Sequence, residues 1–169
     1  LLNLPLRDRQ IVAALIDALD DDGYLIETLE EIADMFSEND ALEPEELTIA
    51  LKYLQSFEPA GVGARNAAEC LTLQLKALPA ETPYRAEALK IAEGHLPLLA
   101  ARDFTKIRRV LHCDEACVRA VRELIVQLIS DGLVETAGGR SFTVASVDVS
   151  LILNAFQLRR NVVQALRQA

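Results

Sequence analysis

The chain has 169 residues, of which 51% are apolar and none is Trp; this supports one large or two small cores rich in Leu, Ile, Val and Ala, the balance of helices packed on helices. The net charge of -9 is uneven: residues 1–101 hold 19 acids against 7 bases, and residues 102–169 hold 7 against 10. No apolar run approaches the roughly 20 residues that span a bilayer, and residues 1–9 lack the basic start and apolar stretch of a signal peptide; with three sparse cysteines, a cytoplasmic protein is expected.

Leu4 to Leu19 places Ile11, Ala14, Leu15, Ala18 and Leu19 at helical spacing, with Pro5 at its start and Gly23 at its exit. Asp20, Asp21 and Asp22 then fall at the carboxyl end, where the helix dipole disfavours them. Thr28 with Glu31 forms a capping box for a short helix through Leu29, Ile32 and Phe36. Pro44 opens the next helix, with Leu47, Ala50, Leu51 and Leu54 on one face. Pro59, Gly61 and Gly63 break the pattern and make a candidate hinge, because Pro59 disfavours helix at Glu58 and glycine permits positive φ. Asn66 with Glu69 reads as a second capping box, for a helix through Leu71 and Leu75.

Thr82-Pro83 reads as cap and first turn of a helix toward Ala100, which Pro97 should kink or split. Asp103 caps a short helix through Phe104, Ile107 and Leu111. Asp114 caps a longer one through Val118, Val121, Ile125 and Leu128. Gly138-Gly139 suggests a small hairpin near 133–145, and Leu151 to Leu166 returns to helical spacing. Leu1 is not an initiator Met, so the chain reads as a piece of a longer one.

The order of short helix, acidic cap and longer helix occurs at Leu29–Phe57 and again at Phe104–Ser130, the helix-turn-helix arrangement. The fold class is therefore all-α, with two small helical subdomains joined by helices. The divisions fall at 1–63, an acidic helical subdomain; 64–101, connecting helices; 102–132, a second helix-turn-helix-like subdomain; and 133–169, a hairpin and C-terminal helix.

Chemistry has little foothold. Cys113 and Cys117 lie four apart with His112 adjacent, but Cys70 is distant and no second close pair completes a zinc set. An odd, sparse cysteine set fits a reducing compartment, and core packing is the simpler role. His95 reads as a packed or surface residue. Gly61 and Gly63 lack the spacing and Lys of a phosphate loop, and the acid pairs lie in runs along helices, not in apolar pockets. No enzyme, cofactor, metal or small-molecule substrate is expected.

Between Asp17 and Glu46 stand 13 acids and no Lys or Arg. Such a surface repels nucleic acid and suits either solvation or a basic protein partner.

The run Pro59-Ala60-Gly61-Val62-Gly63-Ala64-Arg65-Asn66, followed by Glu69-Cys70-Leu71, closely resembles a signature of the bacterial sigma-54 family. Leu15 to Leu25, reading through Asp20-Asp21-Asp22-Gly23-Tyr24, looks like that family's opening helix and turn. Leu98-Leu99-Ala100-Ala101-Arg102-Asp103-Phe104 looks like its later helix junction. The resemblance covers Leu4 to Leu128 and falls in the core-binding region. After Leu128 the chain reads Ile129-Ser130-Asp131-Gly132-Leu133, where the family continues into an Asn-Pro-Arg-Pro-Gly-like turn.

The resemblance implies a domain that docks on core RNA polymerase by protein–protein recognition, within a transcription initiation factor. It implies that promoter DNA is read by other domains of the full-length factor, and that an ATP-driven activator remodels the holoenzyme. The candidate partner-binding residues are Asp20, Asp21, Asp22, Glu30, Glu31 and Arg65. For Arg65 an internal ion pair at the hinge is the favoured role. The competing reading is a winged helix-turn-helix DNA-binding domain, with Arg119, Arg122 and Arg140 as nucleic-acid contacts and the hairpin as its wing.

Overall fold

The computed structural model of the chain describes residues 4–36, 42–130, 164, 165, 167 and 168. Among these the fold is all-α: α1 Leu6–Asp17, α2 Leu29–Ala33, α3 Pro44–Gln55, α4 Ala67–Ala77, α5 Arg85–Gly94, α6 Leu96–Ala100, α7 Phe104–Leu111 and α8 Glu115–Ser130. The expected hairpin near 133–145, and most of the expected C-terminal helix, lie outside the described residues.

Local chemistry places most helix starts. Thr28 accepts from the Glu31 backbone N–H while Glu31 reaches back to the Thr28 N–H, so the capping box forms as expected. Pro44 occupies the first turn of α3, and Glu43 and Glu46 make a second reciprocal cap around it. Asp103 caps α7 through the Lys106 N–H, and Asp114 caps α8 through the Cys117 N–H.

Three boundaries differ from the sequence reading. α1 stops at Asp17, and Gly23 is not its exit but closes a separate turn, where its φ is 83°. α2 ends at Ala33, before Phe36. Thr82-Pro83 caps nothing: α5 begins at Arg85, and its N-cap is Tyr84 in the left-handed region, φ 60°. Pro97 does split the following helix; α5 ends at Gly94 and α6 starts at Leu96 across His95, φ -131°.

The buried side chains form two main clusters. The first gathers Ile11, Leu15, Ile32, Leu47, Leu51, Leu54 and Val62 from α1, α2, α3 and the loop after α3. The second gathers Leu71, Leu75, Ile91, Ile107, Val118, Val121 and Ile125 from α4, α5, α7 and α8. α4 and α5 thus share one core with the α7–α8 pair. A small cluster of Tyr24, Ala64 and Cys70 lies apart from both and joins residues contributed from before α2 and after α3.

Helix ends in the second bundle are closed by cations from elsewhere in the fold. Arg85 donates to the carbonyls of Leu75 and Lys76, at 2.8 and 2.9 Å, at the end of α4. Lys90 donates to the Val110 carbonyl at 2.6 Å, at the end of α7. Both place positive charge where unpaired carbonyls and the helix dipole favour it.

Candidate partner-binding surfaces

The joint between the bundles is built from main chain. The Gly63 N–H donates to the Gly23 carbonyl at 2.9 Å, and the Leu25 N–H donates to the Ala64 carbonyl at 3.0 Å. Tyr24 and Ala64 are both buried where these segments meet. Two of the candidate hinge residues, Gly61 and Gly63, have φ of 102° and 75°. A Cβ on Gly61 would stand 2.6 Å from the Cys70 sulfur, and one on Gly63 would stand 3.2 Å from Leu54 Cδ2. Glycine is therefore required at Gly61 both for its backbone region and for the approach of α4. The third, Pro59, follows a cis peptide bond.

Arg65 lies against this joint. Its Nε and Nη2 each donate to the Glu69 carboxylate at 2.9 Å, and its backbone N–H donates at 2.8 Å. Gln55, at the end of α3, donates to the Gly63 carbonyl at 3.0 Å and to Glu69 at 3.3 Å. Burial pushes the Glu69 carboxyl up, but the bonds from Arg65 and Gln55 outweigh it and hold the group below its ordinary value. Asn66 caps α4 through the Glu69 N–H. The box is not reciprocal as the sequence suggests, because the Glu69 carboxylate serves Arg65, one residue earlier.

The acidic candidates divide by what their oxygens already do. Asp20 accepts from the backbone N–H groups of Asp22 and Tyr24, at 2.9 and 2.8 Å, and so shapes the turn after α1. Glu31 is engaged with Thr28, whose backbone and hydroxyl bonds hold its carboxyl below the usual range. Asp21 and Glu30 remain exposed. Asp22 is half-buried, and its Oδ1 meets no hydrogen-bond partner. Arg167 reaches the same turn: it donates to the Leu19 carbonyl at 2.5 Å and lies 4.0 Å from Asp21. Ile26, Met35 and Ile49 are exposed apolar side chains of this acidic bundle.

The second bundle presents the opposite sign. Arg119 and Arg122 are exposed on α8, and Lys106, Arg108 and Arg109 on α7. Lys106 pairs with its own cap, Asp103, at 2.9 Å. A cleft between the two helices is lined by Phe104, Arg108, Glu115, Val118, Arg119 and Arg122. The sequence reading singled out Arg119 and Arg122 but missed Phe104 and Val118, which only the crossing of α7 and α8 brings beside them. Arg140 lies outside the described residues.

The cysteines are buried or partly so. Cys117 packs in the second core, and its thiol is pushed up to about 12 by burial and by the neighbouring Cys113. Among the described residues, no three His, Cys, Asp or Glu side chains converge as a metal would require. No helix among them is long and apolar enough to cross a membrane.

Among the described residues the chain is a helical module with an acidic bundle, a basic helix pair and a joint built largely from main chain. The profile described as "Sigma-54 factor, core binding domain" matches residues 1–149. The chain is 43% identical over 118 residues to an RNA polymerase sigma-54 factor of Pseudomonas aeruginosa, covering 70% of this chain and 24% of that protein. It is 44% identical over 121 residues to one of Pseudomonas putida, covering 72% and 24%. Against one of Escherichia coli it is 36% identical over 121 residues, covering 72% and 25%. The chain belongs to the sigma-54 factor core-binding domain family. It spans about a quarter of the length of these curated relatives.

Proposed function

We propose that this domain docks a sigma-54-type transcription initiation factor on core RNA polymerase, by protein–protein recognition. The match of residues 1–149 to a core-binding-domain profile carries the reading. In the full-length factor, promoter DNA and an ATP-driven activator engage other domains, and the whole acts in the cytoplasm. The division at the Gly61–Ala64 joint supports two roles, an acidic bundle through Gly63 and a second bundle from Ala64 onward.

The exposed acids of the first bundle supply one docking surface, with Ile26 and Met35 as apolar neighbours in the chain. Local bonding and burial narrow the acids that can meet a partner to Asp21 and Glu30. Asp20 and Glu31 shape the backbone instead, and Arg65 holds the joint through Glu69. A rim charge contributes about 1 kcal/mol or less, and reversal of two of them changes affinity by roughly tenfold.

Gel filtration of the purified chain with core RNA polymerase tests the docking. Co-elution in a defined ratio is the expected result. The double variant Asp21→Lys, Glu30→Lys is expected to keep its helical circular dichroism and bind roughly tenfold more weakly. Failure to co-elute at moderate salt rejects the docking reading. Unchanged affinity of the double variant rejects the acidic surface alone.

A further inference from the structure

The acidic docking surface belongs to the first bundle, whereas a cleft between α7 and α8 of the second is basic and partly apolar. Phe104 and Val118 form the apolar part of the α7–α8 cleft. Phe104 is 38% exposed although it is a large aromatic at the first position of its helix. Around this floor stand Arg108 from α7 and Arg119 and Arg122 from α8.

These guanidinium groups have capacity to spare. Among the described residues no ion pair reaches Arg108 or Arg122. Arg119 has only Glu115, at 3.9 Å, with both side chains well exposed. That pair is loose, and such surface pairs contribute little. The planar fork of arginine suits carboxylates in a bidentate geometry.

We propose that the α7–α8 cleft receives an acidic segment of a protein partner that leads with a bulky apolar side chain. Phe104, with the buried Val118 at the base of the cleft, takes the apolar group, and Arg108, Arg119 and Arg122 take the flanking carboxylates. The cleft then acts as an anchor pocket with a charged rim, the anatomy of an energetic centre in a protein interface. The inference rests on the docking reading only for the expectation that the partner is a protein.

Nucleic acid fits this surface less well. Phosphates have no use for an apolar floor, and the Glu115 carboxylate stands in the wall. The chain's net charge of -9 also opposes the approach of a polyanion from a distance. A short acidic peptide meets the same field with far fewer charges.

The test uses the intact chain and fluorescence anisotropy of three labelled probes. One is a short peptide of aspartate and glutamate with two central leucines. The second replaces the leucines by serines, and the third is a short DNA duplex. The leucine peptide is expected to bind most tightly, with the serine peptide about tenfold weaker from the lost apolar burial. The variant Arg108→Glu, Arg122→Glu is expected to lose at least about tenfold for the leucine peptide. Both positions are exposed, so the helical circular dichroism should persist. Phe104→Ser should narrow the difference between the two peptides while leaving the serine peptide's affinity unchanged.

Equal binding of the two peptides overturns the apolar part of the proposal. Indifference of the leucine peptide to the double charge reversal overturns the whole. Tighter binding of the duplex through the same arginines makes the cleft a phosphate surface instead. None of these results depends on polymerase, so they stand apart from the co-elution experiment.

Discussion

The two bundles are built alike and coloured oppositely. Each holds a short helix followed by a longer one: α2 and α3 in the first, α7 and α8 in the second. Each closes the starts of these two helices with local caps and buries an aliphatic core. Their surfaces diverge. The first carries an acidic stretch from Asp17 to Glu46 without a Lys or Arg, and the second carries five cations on α7 and α8. The comparison teaches that apolar spacing and caps set the scaffold, while exposed positions between them are left to choose partners.

The largest test of this likeness lies in the cores. Leu15 in the first bundle and Ile125 in the second are fully buried. Leu15→Ala and Ile125→Ala are each expected to cost about 2–5 kcal/mol in urea unfolding. A single transition is expected in both, because main-chain bonds tie the bundles together. Two separated transitions would mean that the joint does not couple them.

The joint comes next. Gly61→Val forces a branched side chain into positive φ and against the Cys70 sulfur. The expected loss is about 2–4 kcal/mol. Gly63→Ala meets the more yielding Leu54 side chain and should cost about 1–2 kcal/mol. Equal, negligible losses at the two glycines would show that the approach of α4 is not a constraint.

Glu69→Gln weakens the network that Arg65 and Gln55 share, and is expected to cost about 1–2 kcal/mol. The sign of the pH effect follows from the lowered carboxyl. Its stabilisation is present above the carboxyl's ordinary value and is lost as pH falls through the folded one. A urea titration in acid should therefore show a smaller loss on acidification for Glu69→Gln than for the unaltered chain.

The smallest effect concerns the tie between α1 and α3. The Arg7 guanidinium, bonded to Glu46 at 2.6 and 2.8 Å, and the Glu43 N–H bring the Glu46 carboxyl down from 4.5 to about 2. The tie is thus present above the ordinary value and lost as pH falls toward about 2. Arg7→Ala should move the Glu46 carbon resonance to titrate nearer its ordinary value. An unmoved titration would assign the shift to the Glu43 cap alone.

Features set by near neighbours were legible in the sequence. Thr28, Asn66, Asp103 and Asp114 announce their helices because a cap needs only the next three residues. Pro97 announces a break because its ring cannot continue the preceding turn. The Arg65–Glu69 pair, four apart, was within reach of the same reasoning. Features set by tertiary approach were not. Nothing near Tyr84 says that it takes the left-handed region, beside Arg85 and its bonds to the end of α4. Asp20 looks like a free acid at a helix end until the turn to Tyr24 is seen. Phe104 reads as an ordinary core position until α7 and α8 cross and leave it 38% exposed.

The bonds that hold Gly63 to Gly23 and Leu25 to Ala64 run backbone to backbone. They contain no side-chain atom, so substitutions at the surface leave them untouched. The joint therefore behaves as a calliper: away from Gln55, Arg65 and Glu69 its jaws can be resurfaced, but the gap between them is held. A partner gripped by both faces must present its opposite charges at that one spacing, which makes distance itself part of what the domain reads.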